Sequence, residues 1–137
     1  MKVFSKRSLR NLEQCHPDLQ KLLRAAIADS LCPDFSVICG YRGPEAQNKA
    51  FAKGFSKLRF PRSKHNKLPS LAADLAPWPI DWHDRKRFIE LGRNVVLIAR
   101  RIGIDIRWGG DWDGDGDVTD ERFSDLPHFE LEWRRDG

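Results

Sequence analysis

The stretch LAADLAP, residues 71–77, sets the hardest condition on how this chain folds. Its apolar residues and closing proline read as a short strand bound for the interior, yet Asp74 stands in the middle of it. A carboxylate between Ala73 and Leu75 is costly to remove from water unless it is paired or bound to a cation, so the fold has to bring Asp74 a partner.

Few residues qualify. Of the four histidines, His16 precedes Pro17 at a helix entry and His83 sits in the polar opening turn of a helix, where structural or solvated roles suffice. His65, in the irregular segment SKHNKLPS, and His128, which opens the apolar run HFELEW, are better placed. Two imidazoles and one carboxylate make a three-ligand set that leaves a fourth position open for water, the usual composition of a catalytic zinc site. The same three residues also fit a second reading, as hydrogen-bonded polar groups of an ordinary core.

Periodicity supplies the frame around them. Ser8 is a candidate cap for a first turn at LRNLEQC, and HPDLQKLLRAAIADS carries Leu19, Leu22, Leu23, Ala26 and Ile27 at helical spacing. FSVICG reads as a strand, PEAQNKAFAKG as a helix opened by Pro44 and closed by Gly54. DWHDRKRFIELGRNVVLIARRIG is the longest helix, with Phe88, Leu91, Val95, Ile98 and Ile102 on one stripe, and IDIRW and HFELEW read as two further strands. Without regular βαβ alternation, the expectation is a small α+β domain spanning 1–137: an antiparallel sheet with helices packed on it and a site in its cleft.

The acidic segment between those last strands has its own pattern. Asp111, Asp113 and Asp115 alternate, Gly116 follows, and Asp117 and Thr119 continue the spacing of a calcium loop. The twelfth position, normally a bidentate glutamate, is Arg122, with Asp120 and Glu121 beside it. The candidate calcium ligands are Asp111, Asp113, Asp115, Asp117 and Glu121, in a loop near 111–122; the alternative is an exposed acidic loop without an ion.

Composition excludes several classes. A chain that is 40% hydrophobic and 32% charged is that of a globular domain, and no run approaches the roughly 18 apolar residues of a membrane span, so stable membrane association is not expected. The N-terminal MKVFSKRSLRNLEQ has basic residues but no apolar core, which predicts synthesis in the cytoplasm without a signal peptide. Cys15, Cys32 and Cys39 are odd in number and lack CxxC spacing, so they read as small, partly buried residues rather than as a disulfide framework or a thiolate zinc site. The net charge is +4, and residues 46–73 contain seven lysines and arginines and no acid. Such a segment suits an anionic polymer, whether nucleic acid, teichoic acid or the carboxylate-bearing stems of peptidoglycan, or else forms a solvated face.

Taken in order, Ser63-x-His65, Ala72-x-Asp74, Trp108-Gly109-Gly110-Asp111-Trp112 and Asp125-x-x-His128-Phe129-Glu130-Leu131 resemble the successive motifs of the zinc peptidases related to D-alanyl-D-alanine carboxypeptidases and phage L-alanyl-D-glutamate endopeptidases. LRNLEQCHPDLQKLLRAAI and GYRGPEAQ fit the same pattern, so the resemblance runs from about Ser8 to Trp133. His65 and Asp74 are nine positions apart, longer than in the commonest form of the family, with the addition in the loop from Asn66 to Ser70.

The resemblance implies that His65, Asp74 and His128 hold Zn²⁺, that Asp125 is the general base, and that Arg42 stabilises the developing oxyanion or a substrate carboxylate. Ser63 is a possible orienting residue. Phage members of the family carry similar acidic loops in which calcium accompanies activity, so the loop is expected to position Asp125 and His128. Of the tryptophans, Trp108 and Trp112 are expected under the site, and Trp78 and Trp82 along the cleft, with core packing the commoner fate; Trp133 completes the set.

The expected function is a phage-type endolysin that acts at the cell wall as a monomer and cuts the L-alanyl-D-glutamate bond of peptidoglycan stem peptides. The alternatives are a D-alanyl-D-alanine carboxypeptidase and a non-catalytic calcium-dependent wall-binding module. No recognisable motif supports a nucleic-acid partner.

Overall fold

Ser5 opens the first helix: its hydroxyl accepts from the Ser8 amide at 3.1 Å, and α1 runs Lys6–Glu13 in the computed structural model, which describes residues 2–117 and 125–132. The helix therefore starts earlier than the Ser8 cap expected from sequence. Ser8 is instead buried inside it, where its hydroxyl accepts from the Val37 amide at 3.0 Å and ties α1 to the sheet. His16 caps α2 (Pro17–Ala28) through Nδ1, which accepts from the Asp18 amide, and Pro17 occupies the first turn, where a missing N–H costs nothing. Strand β1 (Phe35–Cys39) leads to α3 (Pro44–Ala52), a short 3-10 turn at Lys64–Asn66, and β2 (Ala72–Pro77). The long helix α4 (Arg85–Ile102) begins after Asp84, so His83 precedes it, and ends at Gly103 in the left-handed region. Strands β3 (Ile106–Trp108) and β4 (His128–Leu131) complete the described elements.

The strands form an antiparallel sheet in the order β1-β2-β4-β3. Alternation sorts each strand into two faces. Ala73 and Leu75 of β2, with Phe129 and Leu131 of β4, join the core, together with Leu19, Leu22, Leu23, Ala26 and Ile27 of α2 and Leu91, Val95, Ile98 and Ala99 of α4. Each of the larger aliphatic side chains so buried contributes about 1.5–3 kcal/mol. The residues between them, Asp74, His128 and Glu130, face the opposite side, onto a cleft. Asp74 is thus placed by the same period of two that buries its neighbours.

Register then aligns the polar residues. Asp74 lies opposite His128 across the β2–β4 ladder, and a register shift between Val37 and Cys39 brings Cys39 opposite Asp74 on its other side. Trp108 is 3% exposed and stacks on Phe129 with ring centroids 6.3 Å apart, while its Nε1 donates to the Leu126 carbonyl at 2.8 Å. A Cβ at Gly92 or Gly110 would meet the Trp108 ring at 2.1 or 2.4 Å, so glycine on both sides is what admits the indole. Among the described residues, no helix is long and apolar enough to cross a membrane.

A candidate metal centre and its cleft

Each donor of the His65–Asp74–His128 cluster is held from behind. His65 is on the 3-10 turn, whose first backbone amides are capped by Ser63: the Ser63 hydroxyl accepts from the His65 amide at 3.2 Å, and the Asn66 carboxamide oxygen accepts from the Ser63 amide at 3.0 Å. The His65 Nδ1 lies 2.7 Å from the Gly40 carbonyl, to which it can only donate, leaving Nε2 directed at Asp74 Oδ1 at 3.3 Å. The His128 Nε2 lies 2.8 Å from Glu130 Oε1, leaving Nδ1 directed at the same Asp74 Oδ1, also at 3.3 Å. Asp74 Oδ2 is taken by the Arg42 guanidinium at 3.1 Å.

Three donor atoms therefore converge while every second atom of the same groups is engaged elsewhere. In a tetrahedral site with bonds of about 2.0–2.1 Å, neighbouring ligand atoms are separated by about 3.3 Å, the distance at which each imidazole nitrogen stands from Asp74 Oδ1, and an N, N, O donor set has the chemistry of a zinc site. The outer acceptors on both imidazoles also fit the way metal-bound histidines are oriented.

Charge follows the geometry. Burial alone would lower the His65 pKa, but the Asp74 carboxylate and its hydrogen bond override this and push it up to about 10. His128 is likewise raised, against burial, by its hydrogen bonds to Asp74 and Glu130. Asp74 is held far below the usual carboxylate range: burial opposes ionisation, and the two imidazoles outweigh it. Without a metal the centre keeps its charge balance by holding protons on the imidazoles. A divalent cation bound there would take their place.

Cys39 also falls within ligating reach of His65 and Asp74. Its sulfur, however, meets His65 at Nδ1, 3.9 Å away, on the side already occupied by the Gly40 carbonyl, whereas His128 meets Asp74 at the atom shared with His65 Nε2. Among the described residues, Cys39, His65 and Asp74 form one group with all ligand atoms mutually close, and His128 adds a second imidazole at Asp74 Oδ1. Cys15 and Cys32 are buried and Cys39 half-buried.

Asp125 stands on the cleft wall at the entry to β4. Its amide donates to the Gly109 carbonyl at 2.8 Å, its carbonyl accepts from the His128 amide at 3.0 Å, and the Gly109 amide donates to the His128 carbonyl at 2.8 Å. A Cβ at Gly109 would lie 2.1 Å from the Asp125 carbonyl oxygen, so glycine is required for this approach. Burial, then the nearby Asp74 charge, raises the Asp125 pKa.

Arg42 is fixed from several sides. Its amide donates to the His65 carbonyl at 2.8 Å, and Nη1 donates to Gln47 Oε1 at 3.1 Å. Gln47 gave no signal in the sequence, yet it is fully buried with both ends of its amide engaged. Its oxygen also accepts from Asn66 at 3.1 Å, and its nitrogen donates to the Ser56 hydroxyl and the Leu58 carbonyl. Glu130 likewise stands out in the sequence only as part of a strand motif. It bridges His128 to Lys64, 2.9 Å away, and these contacts overcome burial to bring its pKa down to about 2.

The cleft beside these residues encloses about 890 Å³. Trp82 and Trp112 line it, and Trp112 lies 5.5 Å from the His128 ring; Trp78 is exposed but not part of the wall, and Trp133 lies outside the described residues. The lengthened loop between His65 and Asp74 leaves the rim alone, because Ser70 is drawn the other way, exchanging hydrogen bonds with Gln14 and His16.

In the acidic loop, Asp111, Asp113 and Asp115 come together. Asp111 Oδ2 accepts from the Gly116 amide at 2.8 Å, Asp113 accepts from Asp115, and Asp115 accepts from Asp117, while Asp111 Oδ1 is buried with no hydrogen-bond partner. Gly114 and Gly116 adopt positive φ, as the tight turn demands. Asp117 ends the described part of the loop; Thr119, Asp120, Glu121 and Arg122 lie outside the described residues.

Residues 1–132 match the family model described as phage L-alanyl-D-glutamate peptidase. The chain belongs to that family. Consistent with this peptidase family, the chain is 35% identical over 123 residues to the L-alanyl-D-glutamate peptidase of Escherichia phage T5, covering 86% of this chain and 87% of the relative. The crystal structure of the Serratia marcescens L-Ala D-Glu endopeptidase ChiX superposes with a TM-score of 0.72 at 31% identity, covering 96% of this chain and 91% of that one. The α+β fold and the peptidase activity are those of the family.

Proposed function

We propose that the chain hydrolyses the L-alanyl-D-glutamate bond of peptidoglycan stem peptides at a zinc ion held by His65, Asp74 and His128, as a phage-type lytic enzyme acting at the cell wall. The observation that carries this reading is the convergence of His65 Nε2 and His128 Nδ1 on Asp74 Oδ1, each at 3.3 Å, inside a cleft of a family member. Zinc bound there supplies a Lewis acid that polarises the scissile carbonyl and activates the attacking water.

The remaining steps belong to side chains. Asp125 takes the proton from the attacking water and returns it to the departing amine; its raised pKa brings it toward neutrality, where a carboxyl can do both. Arg42, braced by Gln47 and Asp74, presents fixed N–H groups to the charge that develops on the carbonyl oxygen. Glu130 keeps the His128 ring in the orientation that offers Nδ1.

Calcium belongs to the same reading, bound by Asp111, Asp113, Asp115 and Asp117, with Glu121 as the further ligand. In support, Asp111 Oδ1 is buried without a donor and the neighbouring carboxylates crowd it. Ordering that loop steadies Asp125 through its hydrogen bond to Gly109.

The test is digestion of purified peptidoglycan with and without chelator, with mass spectrometry of the new termini. New D-glutamate amino termini that vanish with chelator are expected. Release of D-alanine alone would instead make the chain a carboxypeptidase, and no release at all would leave the wall-binding alternative.

A further inference from the structure

Five lysines and arginines line the cleft: Arg42, Lys57, Arg62, Lys64 and Arg107. Most are already committed. Arg42 pairs with Asp74 and Gln47, Lys64 pairs with Glu130, and Arg107 lies 3.9 Å from Glu130 and 5.2 Å over the Trp112 ring. Lys57 is partnered as well. Among the described residues, the Arg62 side chain makes no hydrogen bond, ion pair or ring contact.

The backbone that carries Arg62 is nonetheless fixed. Its amide donates to the Arg59 carbonyl at 2.9 Å, and the next amide, of Ser63, is held by Asn66, which also donates to Gln47. Gln47 in turn grips Ser56 and Leu58 of the adjoining wall, where Leu58 and Phe55 are exposed apolar neighbours. A guanidinium without a counterion, on an anchored segment three residues before His65 and beside apolar surface, is arranged to receive an anion from the ligand.

We propose that Arg62 binds the carboxylate of the residue on the amine side of the scissile bond, and so determines specificity. This rests on the proposed function. In a stem peptide whose D-glutamate continues through its γ-carboxyl, the α-carboxylate stays free and sits one carbon from the departing nitrogen, which makes it the charge nearest the reaction. A carboxylate farther along the peptide has the same chemistry, and the substrates below separate the two.

The experiment compares kcat/KM for L-alanyl-γ-D-glutamyl-L-lysine, its D-glutamate α-amide and its C-terminal amide, using the zinc-loaded full chain and the variants Arg62→Gln and Arg62→Lys. The wild type is expected to prefer the free α-carboxylate over the α-amide by about ten- to a hundredfold, the range of a charge-assisted contact, and to be nearly indifferent to C-terminal amidation. Arg62→Gln should collapse the preference toward unity, and Arg62→Lys should keep part of it by retaining charge without the planar fork. A preference that survives Arg62→Gln, or one that follows C-terminal amidation, overturns the assignment while leaving the peptidase reading intact. A wild type that cleaves neither these peptides nor purified peptidoglycan overturns the proposed function, and this assignment with it.

Discussion

Asp74 faces His128 directly across the β2–β4 ladder, and the same Oδ1 that lies 3.3 Å from His128 Nδ1 lies 3.3 Å from His65 Nε2. One carboxylate oxygen therefore joins two chain segments that are far apart in sequence. Asp74→Asn keeps the shape but removes the charge, and should lower zinc affinity by more than the roughly 10–100-fold that follows loss of an outer partner. His65→Ala and His128→Ala should abolish tight binding and hydrolysis. Calorimetric zinc titrations check this, and full activity in any metal-depleted variant would sink the ligand assignment.

The outer contact of Glu130 with His128 can be probed separately. Glu130→Gln still offers an oxygen to His128 Nε2 but loses the charge and weakens the link to Lys64. Zinc affinity or turnover should drop by roughly 10–100-fold while the ligands remain. Unaltered affinity and rate would show that His128 needs no such support.

Protons and zinc compete for the same nitrogens. With its pKa raised to about 10 in the folded, metal-free protein, against about 6.5 unfolded, His65 contributes stability that is full below the unfolded value and is lost as pH rises through the folded one. The metal-free protein should therefore lose stability between about pH 6.5 and 10, while zinc affinity rises by about tenfold per unit for each proton displaced. Thermal melts and chelator competition across this range measure both slopes; a flat affinity would contradict the charge state given to His65.

Asp125→Asn should bind zinc normally and fold normally, since the backbone contacts with Gly109 and His128 do not involve the side chain. Turnover should fall by at least roughly a hundredfold, the usual loss with a general base. A near-normal rate would place the base elsewhere.

The acidic loop gives the fifth test. If calcium orders it, hydrolysis should rise with Ca²⁺ at buffered zinc, and Asp113→Ala combined with Asp115→Ala should retain zinc yet stay slow at every calcium concentration. A flat titration in the wild type, or a double variant as active as wild type, would separate the loop from the catalytic centre.

How much of this was legible beforehand depended on whether a residue contradicted its surroundings. Asp74 was conspicuous because a charge interrupted an apolar strand, and His128 because it opened one; both lie on the cleft face that alternation predicts. Helices α2 and α4 followed from apolar spacing that the core reproduces. Gln47 left no trace because PEAQNKAF reads as a solvated helix, and its burial arises only when the segment around Ser56–Leu58 folds back over it. The register shift that sets Cys39 opposite Asp74 has no compositional mark either. Ser8 misled for a related reason: a hydroxyl suited to capping was taken by a strand amide 29 positions away.

The two backbone hydrogen bonds between Gly109 and the Asp125–His128 turn close the chain on itself like the neck of a bag. The ends of the acidic loop are thus joined by main-chain atoms, while just inside them Gly110 packs on Trp108 and Trp112 lines the cleft. The stretch 113–117 can accordingly be treated as an exchangeable cassette: replacing it with the matching stretch of another family member, with Gly109, Gly110 and Trp112 kept, should change the loop's response to ions without redrawing the sheet beneath it.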